Sequence, residues 1–354
     1  MIETLLHHFG DAATLMMAGG LVGVAFGAVA QHSRFCLRSA TIEVSEHRFG
    51  PQLAVWLLAF CSGLLVVQGA VSFGWLDVSQ ARQIAATGSL SGAVIGGLIF
   101  GAGMILARGC ASRLLVLSAT GNLRALVTGL VLTLVAQASL RGGLAPLREG
   151  LAALWTVPGG AARDLSAVLG LGNAQVALIS LVGLAGALIL ARIRGVQASR
   201  IAAACGVGVS VGLGWLMTYA IAQRSFDAVS LSSVSFTGPA TDTLMGLVSQ
   251  PALPMSFGIG LVPGVFVGSA VMAYLAGEVR IQRFGADTPM ERHLAGAALM
   301  GFGSMLAGGC AVGAGMSGGA VLSLTAWVAV FCMWIGAMVT HRLVGRSPQV
   351  AATS

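Results

Sequence analysis

The chain has 354 residues, of which 56% are hydrophobic and 9% charged, too little polar surface for a water-soluble globule of this size. What remains is a membrane protein. The formal net charge is +7, and its 19 basic residues are all arginine. They fall between apolar stretches, so they read as topology markers and not as a nucleic-acid surface.

A membrane-spanning helix needs roughly 20 mostly apolar residues, and in chain order the first candidate is 12–31. No basic region precedes it, so a cleaved signal peptide is not expected. A break in the apolar pattern follows at Cys36, then spans near 51–73 and 91–107, the second running directly into Gly109-Cys110. The span at 123–140 completes a first half. Residues 141–173, with Pro146, Pro158 and Gly159-Gly160, read as an external linker holding one short helix. Spans near 174–192 and 200–222 follow, then a turn at Thr237, a span near 255–277, a short one at 293–307 that runs into Gly309-Cys310, and a last one at 319–340. The expected fold is an all-α polytopic membrane protein of about nine transmembrane helices.

The chain repeats itself. An offset of 200 residues pairs Gly96 with Gly296, Gly101 with Gly301, Gly103 with Gly303, and Gly109-Cys110-Ala111 with Gly309-Cys310-Ala311. At an offset of 201, Phe35 meets Phe236, Cys36 meets Thr237 and Ala40 meets Thr241. Residues 1–140 therefore form a first repeat with turns at Cys36 and Cys110. Residues 174–354 form a second, with turns at Thr237 and Cys310. Short, glycine-interrupted segments in corresponding positions point to a transport site.

Cytoplasmic loops retain positive charge. With the N-terminus outside, nine alternating spans place Arg34, Arg38, Arg48, Arg108, Arg113, Arg124, Arg192, Arg194, Arg200, Arg280, Arg283, Arg292, Arg342 and Arg346 inside. Arg82, Arg141, Arg148, Arg163 and Arg224 stay outside. The C-terminus is then cytoplasmic, the turns at Cys36 and Cys110 enter from the cytoplasm, and those at Thr237 and Cys310 enter from outside. The four re-entrant short-helix loops belong to two inverted repeats.

At Arg108-Gly109-Cys110-Ala111 and Gly308-Gly309-Cys310-Ala311 a helix must end, because glycine favours the left-handed conformation that caps helix C-termini. A short second helix starting at the cysteine would present unpaired N–H groups and a partial positive charge, which attract anions. A thiol there is a soft, weak donor suited to a ligand containing sulfur. Arg108 and Arg113 flank the inner mouth and draw an anion without standing in its path. No Asp or Glu lies within the apolar part of a span, which disfavours a proton relay or a cation site.

Cys61, Cys205 and Cys332 lie in unbroken apolar runs and read as small hydrophobes. The other three also admit a buried structural role, a soft-metal thiolate site, or a membrane sulfurtransferase that hands a persulfide to a carrier protein. Helix N-termini disfavour a metal cation, and no histidine stands beside Cys110 or Cys310. No cofactor is implied, and with no GxxxxGK[ST] loop nothing points to ATP.

The contexts Ser33-Arg34-Phe35-Cys36-Leu37-Arg38-Ser39-Ala40, Arg108-Gly109-Cys110-Ala111-Ser112-Arg113 and Gly308-Gly309-Cys310-Ala311-Val312-Gly313 resemble the YeeE/YedE family of bacterial membrane proteins, the thiosulfate permeases. The resemblance spans nearly the whole chain. It implies an inner-membrane permease that takes up thiosulfate, or a related sulfur-containing anion, through a narrow waist without ATP. Cys36, Cys110 and Cys310 match the family's cysteines, which pass the ion by S–H···S contacts. It also implies four short loops dipping toward the centre and, for many members, a small cytoplasmic TusA-like sulfur-carrier protein. Other members are linked to other sulfur or selenium species. The long external linker and the arginine-rich first inner loop depart from the family's minimal pattern.

Overall fold

Lipid offers no partner to backbone N–H and C=O groups, so each long apolar stretch closes its own hydrogen bonds as a helix. The computed structural model describes residues 2–225, 228–249, 251, 253–284 and 289–345, so Arg346 and the end of the second half lie outside the described residues. The first half comprises α1 (Ile2–Ser33), α2 (Leu37–Ser45), α3 (Pro51–Ser72), α4 (Arg82–Ala85), β1 (Gly88–Ser89), α5 (Leu90–Leu106), α6 (Ala111–Ala119) and α7 (Leu123–Arg141). The connecting segment holds α8 (Ala145–Ala153), β2 (Thr156–Val157), a 3₁₀ turn at Ala161–Arg163 and α9 (Leu165–Leu169). Then follow α10 (Asn173–Ile193), α11 (Ala198–Ala222), α12 (Thr237–Ser249), α13 (Phe257–Leu275), α14 (Met290–Leu306), a π-helix at Ala311–Gly318 and α15 (Leu324–Gly345). Among the described residues nine helical stretches are long and apolar enough to cross a membrane.

Two expectations need correction. The linker carries more than one short helix, and it is stitched to both halves. Its β2 pairs antiparallel with β1, Leu90 N donates to Trp155 O at 2.8 Å, and Leu165 N donates to Leu322 O at 2.8 Å. The last span starts at Leu324 and not at 319, because the chain stays in the π-helix to Gly318 and then turns through Leu322 at φ 56°.

Small residues bring the helices together, as packing without a hydrophobic driving force requires. Gly19, Gly23 and Gly27 put one bare face of α1 on α13, which answers with Gly260, Gly264 and Gly268. A Cβ on Gly23 would stand 3.0 Å from Val265 N and 3.1 Å from Gly264 Cα. These registers rise together, so α1 and α13 run parallel. Across the centre, Gly96 faces Gly303 and Ala307 while Gly103 faces Gly296 and Met300, so α5 and α14 run antiparallel. An aromatic cluster of Trp56, Phe60, Trp327 and Trp334, with ring centroids 5.1–5.3 Å apart, locks α3 to α15.

The packing partners are reciprocal. α1 lies on α13 as α11 lies on α3; α14 lies on α7 as α5 lies on α15; α2 meets α3 and α15 as α12 meets α13 and α7. Each relation maps onto its counterpart when positions near 200 apart are exchanged, which is compatible with two repeats. α10, packed on α3, stands outside the correspondence.

Candidate functional site

Three cysteines occupy the same local structure. Each is the N-cap of a short helix: Cys36 of α2, Cys110 of α6 and Cys310 of the π-helix. Each is buried. Two residues before each cysteine stands a left-handed residue: Arg34 at φ 55°, Arg108 at φ 57° and Gly308 at φ 80°. These end the preceding helices, with Phe35 N donating to Ala30 O at 3.2 Å and Gly309 N to Ser304 O at 2.8 Å, the bond that closes a Schellman turn. The left-handed position is thus one residue earlier than Gly109 and Gly309. Those two glycines serve close packing instead: a Cβ on Gly109 would lie 3.3 Å from Leu114 Cδ2, and one on Gly309 2.8 Å from Ala314 N.

Tertiary packing joins Cys36 to Cys110. The two thiols face each other and interact although 74 positions separate them in sequence. Cys110 Sγ is also 3.3 Å from Ser112 Oγ. Neither thiol closes a cap bond of good geometry on its own helix. Cys310 differs, since its Sγ accepts from Gly313 N at 3.5 Å. Thr237, the first residue of α12, is 1% exposed, and its Oγ1 is buried with no hydrogen-bond partner. Among the described residues no group of three or more His, Cys, Asp and Glu is placed to hold a metal ion.

The arginines divide between two ends. Arg38 lies within electrostatic range of Cys36, Arg108 and Arg292, and Arg113 within range of Cys36. Arg108 is exposed, whereas Arg113 donates to Gln31 Oε1 at 3.4 Å. Gln31 in turn donates to Glu278 Oε2 at 2.6 Å, and Arg34 Nη2 reaches Glu278 Oε1 at 3.0 Å. The opposite group, Arg82, Arg148 and Arg163, lines a cavity whose floor is formed by Leu306–Gly308, Gly313 and Ala314, the residues around Cys310.

Several of these residues escape sequence reading. Gln31, a buried amide in an apolar helix, carries a signal, because a polar side chain inside a span needs a partner. Ser112 carries none, since a short polar residue near a turn is ordinary.

Nine apolar helices among the described residues, with short helices that start on buried cysteines, define an α-helical, multi-pass membrane protein. The chain belongs to the sulphur-transport family, whose profile matches residues 32–339. It is similar to the thiosulfate transporter TsuA of Escherichia coli, 27% identical over 95% of this chain and 96% of that protein. It is similar also to the thiosulfate transporter TsuA of Spirochaeta thermophila, 28% identical over 91% of this chain and 97% of that one.

Proposed function

We propose that this protein is an inner-membrane permease that takes up thiosulfate, or a close sulfur-containing anion, along a path marked by Cys310, Cys110 and Cys36. The observation that carries the reading is the shared geometry of the three cysteines, each a buried thiol at the start of a short helix. A helix N-terminus favours an anion and a thiol offers it a soft, weak donor. Permeation needs binding favourable enough to admit the ion and weak enough to release it. Three thiols in sequence meet that need better than buried guanidinium groups would. Thr237 Oγ1 stands at the counterpart of Cys36 and supplies a neutral donor, while Gly109 and Gly309 keep the turns narrow.

The orientation follows from the arginines. The N-terminus lies outside, the Cys36 and Cys110 turns face the cytoplasm with Arg108 and Arg113 at the mouth, and the Thr237 and Cys310 turns face outward. The reciprocal packing and the antiparallel α5 and α14 support inverted repeats over 1–140 and 174–354, joined by an external linker at 141–173. Residues 1–140 hold four spans and residues 174–354 five, so the unmatched α10 is the odd span that turns the second half over. A TusA-like carrier protein would meet the cytoplasmic face, where Arg34, Arg108 and Arg113 lie.

The test is uptake of thiosulfate labelled in both sulfurs by proteoliposomes without ATP. Intact labelled ion in the lumen is the expected result. Label found only as protein-bound persulfide would replace the permease with a sulfur relay, and no label on either side would sink both.

A further inference from the structure

A second cavity, of about 200 Å³, lies between α7 and α13 and is walled by the short helices α6 and α12, each of which packs on both of those spans. It reaches Ala111 and Thr237, the buried first residues of α6 and α12. Among the described residues no charged one lines it. Its hydroxyls are turned back on their own helices: Ser118 Oγ donates to Leu115 O at 2.7 Å, Thr133 Oγ1 to Leu130 O at 2.8 Å and Thr243 Oγ1 to Pro239 O at 2.7 Å. A cavity with such walls excludes water and takes apolar ligands, and left empty it is destabilising.

In the other half the same place is filled. There Trp56 and Phe60 of α3 meet Trp334 and Trp327 of α15, with ring centroids 5.2 and 5.3 Å apart. By the reciprocal packing, α3 and α15 correspond to α13 and α7. Gly101 faces Met333 O and Ala337 N as Gly301 faces Leu132 O and Ala136 N, so α7 answers α15 at an offset of 201. That register puts Leu126 in place of Trp327 and Thr133 in place of Trp334, and both line the cavity. Gly129 lines it between them, and a Cβ there would meet nothing within 4 Å. The cavity is therefore the volume that rings occupy in the first-half pair.

The rim is continuous with the lipid-facing surface. Leu126, Leu130 and Leu247 line the cavity and are 41%, 43% and 65% exposed, on the apolar outer face that α7 and α12 present to the bilayer. We propose that one acyl chain of a membrane phospholipid enters here between α7 and α12 and resides in the cavity, joining α7 to α13 as the four rings join α3 to α15. The chain supports α6 and α12 from the side, at the residues that begin the Cys110 and Thr237 turns. This role holds whatever ion is transported.

The experiment uses the full chain in phosphatidylglycerol nanodiscs doped with the same lipid carrying a diazirine at the end of one acyl chain. Irradiation labels Leu126 and Leu247 at the rim and also Leu114, which lines the cavity but is buried from bulk lipid. In Gly129→Phe the ring takes the place of the chain. Labelling of Leu114 then falls at least about tenfold, the loss of a few buried methylenes, while that of the exposed α10 residues Leu178 and Val182 is unchanged. Delipidated wild type melts at a lower temperature in detergent than the lipid-supplied protein, and Gly129→Phe removes most of that difference. Where Gly129→Phe does not melt cooperatively, Thr133→Phe, which fills the cavity from the next turn of α7, decides. Label confined to the rim in the wild type, or label on Leu114 that neither variant lowers, overturns the site. A dimer in the nanodisc that shields Leu126 and Leu247 overturns it too, since a second copy then covers the cavity.

Discussion

Gly96 and Gly296 hold reciprocal places at the centre of the molecule. A Cβ on Gly96 would lie 2.5 Å from Ala307 N and 2.6 Å from Gly303 O, and one on Gly296 would lie 2.5 Å from Ala107 N and 2.7 Å from Gly103 O. Both face backbone, which cannot step aside as a flexible side chain would. Gly96→Val and Gly296→Val are each expected to destabilise the protein by about 1–3 kcal/mol or more. Gly129→Ala, with nothing within 4 Å of its Cβ position, should be neutral or stabilising by up to about 1 kcal/mol. Thermal melting in detergent checks all three, and equal loss at Gly129 would contradict the close approach of α5 and α14.

Cys310→Ser separates the structural role of that residue from its chemistry. A serine hydroxyl is at least as good an N-cap as a thiol, so it can take over the bond from Gly313 N. Stability is expected to stay within about 0.5 kcal/mol. If the proposed path is right, thiosulfate uptake falls by at least about tenfold, the loss of one soft contact. Wild-type uptake in a well-folded Cys310→Ser would show that sulfur is not what the ion meets there.

The left-handed conformation of Arg108 is strained for a residue bearing a Cβ, by roughly 1–2 kcal/mol. Its counterpart at 308 is already glycine. Arg108→Gly is expected to raise stability by about 0.5–1 kcal/mol, since the side chain is exposed. A lower melting temperature in this variant would mean that the arginine anchors the turn in a way its exposure conceals.

Glu278 ties the Cys36 turn to the loop after α13. Desolvation raises its pKa, but hydrogen bonds from Arg34 and Gln31, helped by the Arg34 charge, outweigh that and leave it below the usual carboxylate value. A depressed pKa stabilises the folded state above the unfolded pKa, about 4.3, and that contribution disappears as pH falls through the folded value. The pair is partly exposed, so screening holds its worth below about 1 kcal/mol. The melting-temperature difference between wild type and Glu278→Gln should be present at neutral pH and vanish in acid. A difference that grows on acidification would reverse the assignment.

The membrane spans were legible because each had to carry its own hydrogen bonds, and apolar length alone therefore marked α3, α5, α7, α11 and α13 within a few residues. The Gly-Cys turns were legible because their spacing recurs. In the second turn a glycine, Gly308, does hold the left-handed position, whereas in the first it falls on Arg108, one residue before the glycine that signalled the turn. Arg34 and Arg108 gave no such signal, as arginine is a rare occupant of that conformation.

By itself, then, the sequence determined the solvent in which this protein lives, the number of its spans and the three turns that begin on a cysteine. These follow from composition, apolar length and repetition, which are local or additive along the chain. Only the tertiary structure decided that Cys36 meets Cys110, that Thr237 keeps an unpartnered hydroxyl, and that Arg163 reaches across to Arg82 above the Cys310 turn. Such meetings depend on the register in which α1, α5 and α14 pack, set by glycine faces whose partners lie far away in sequence.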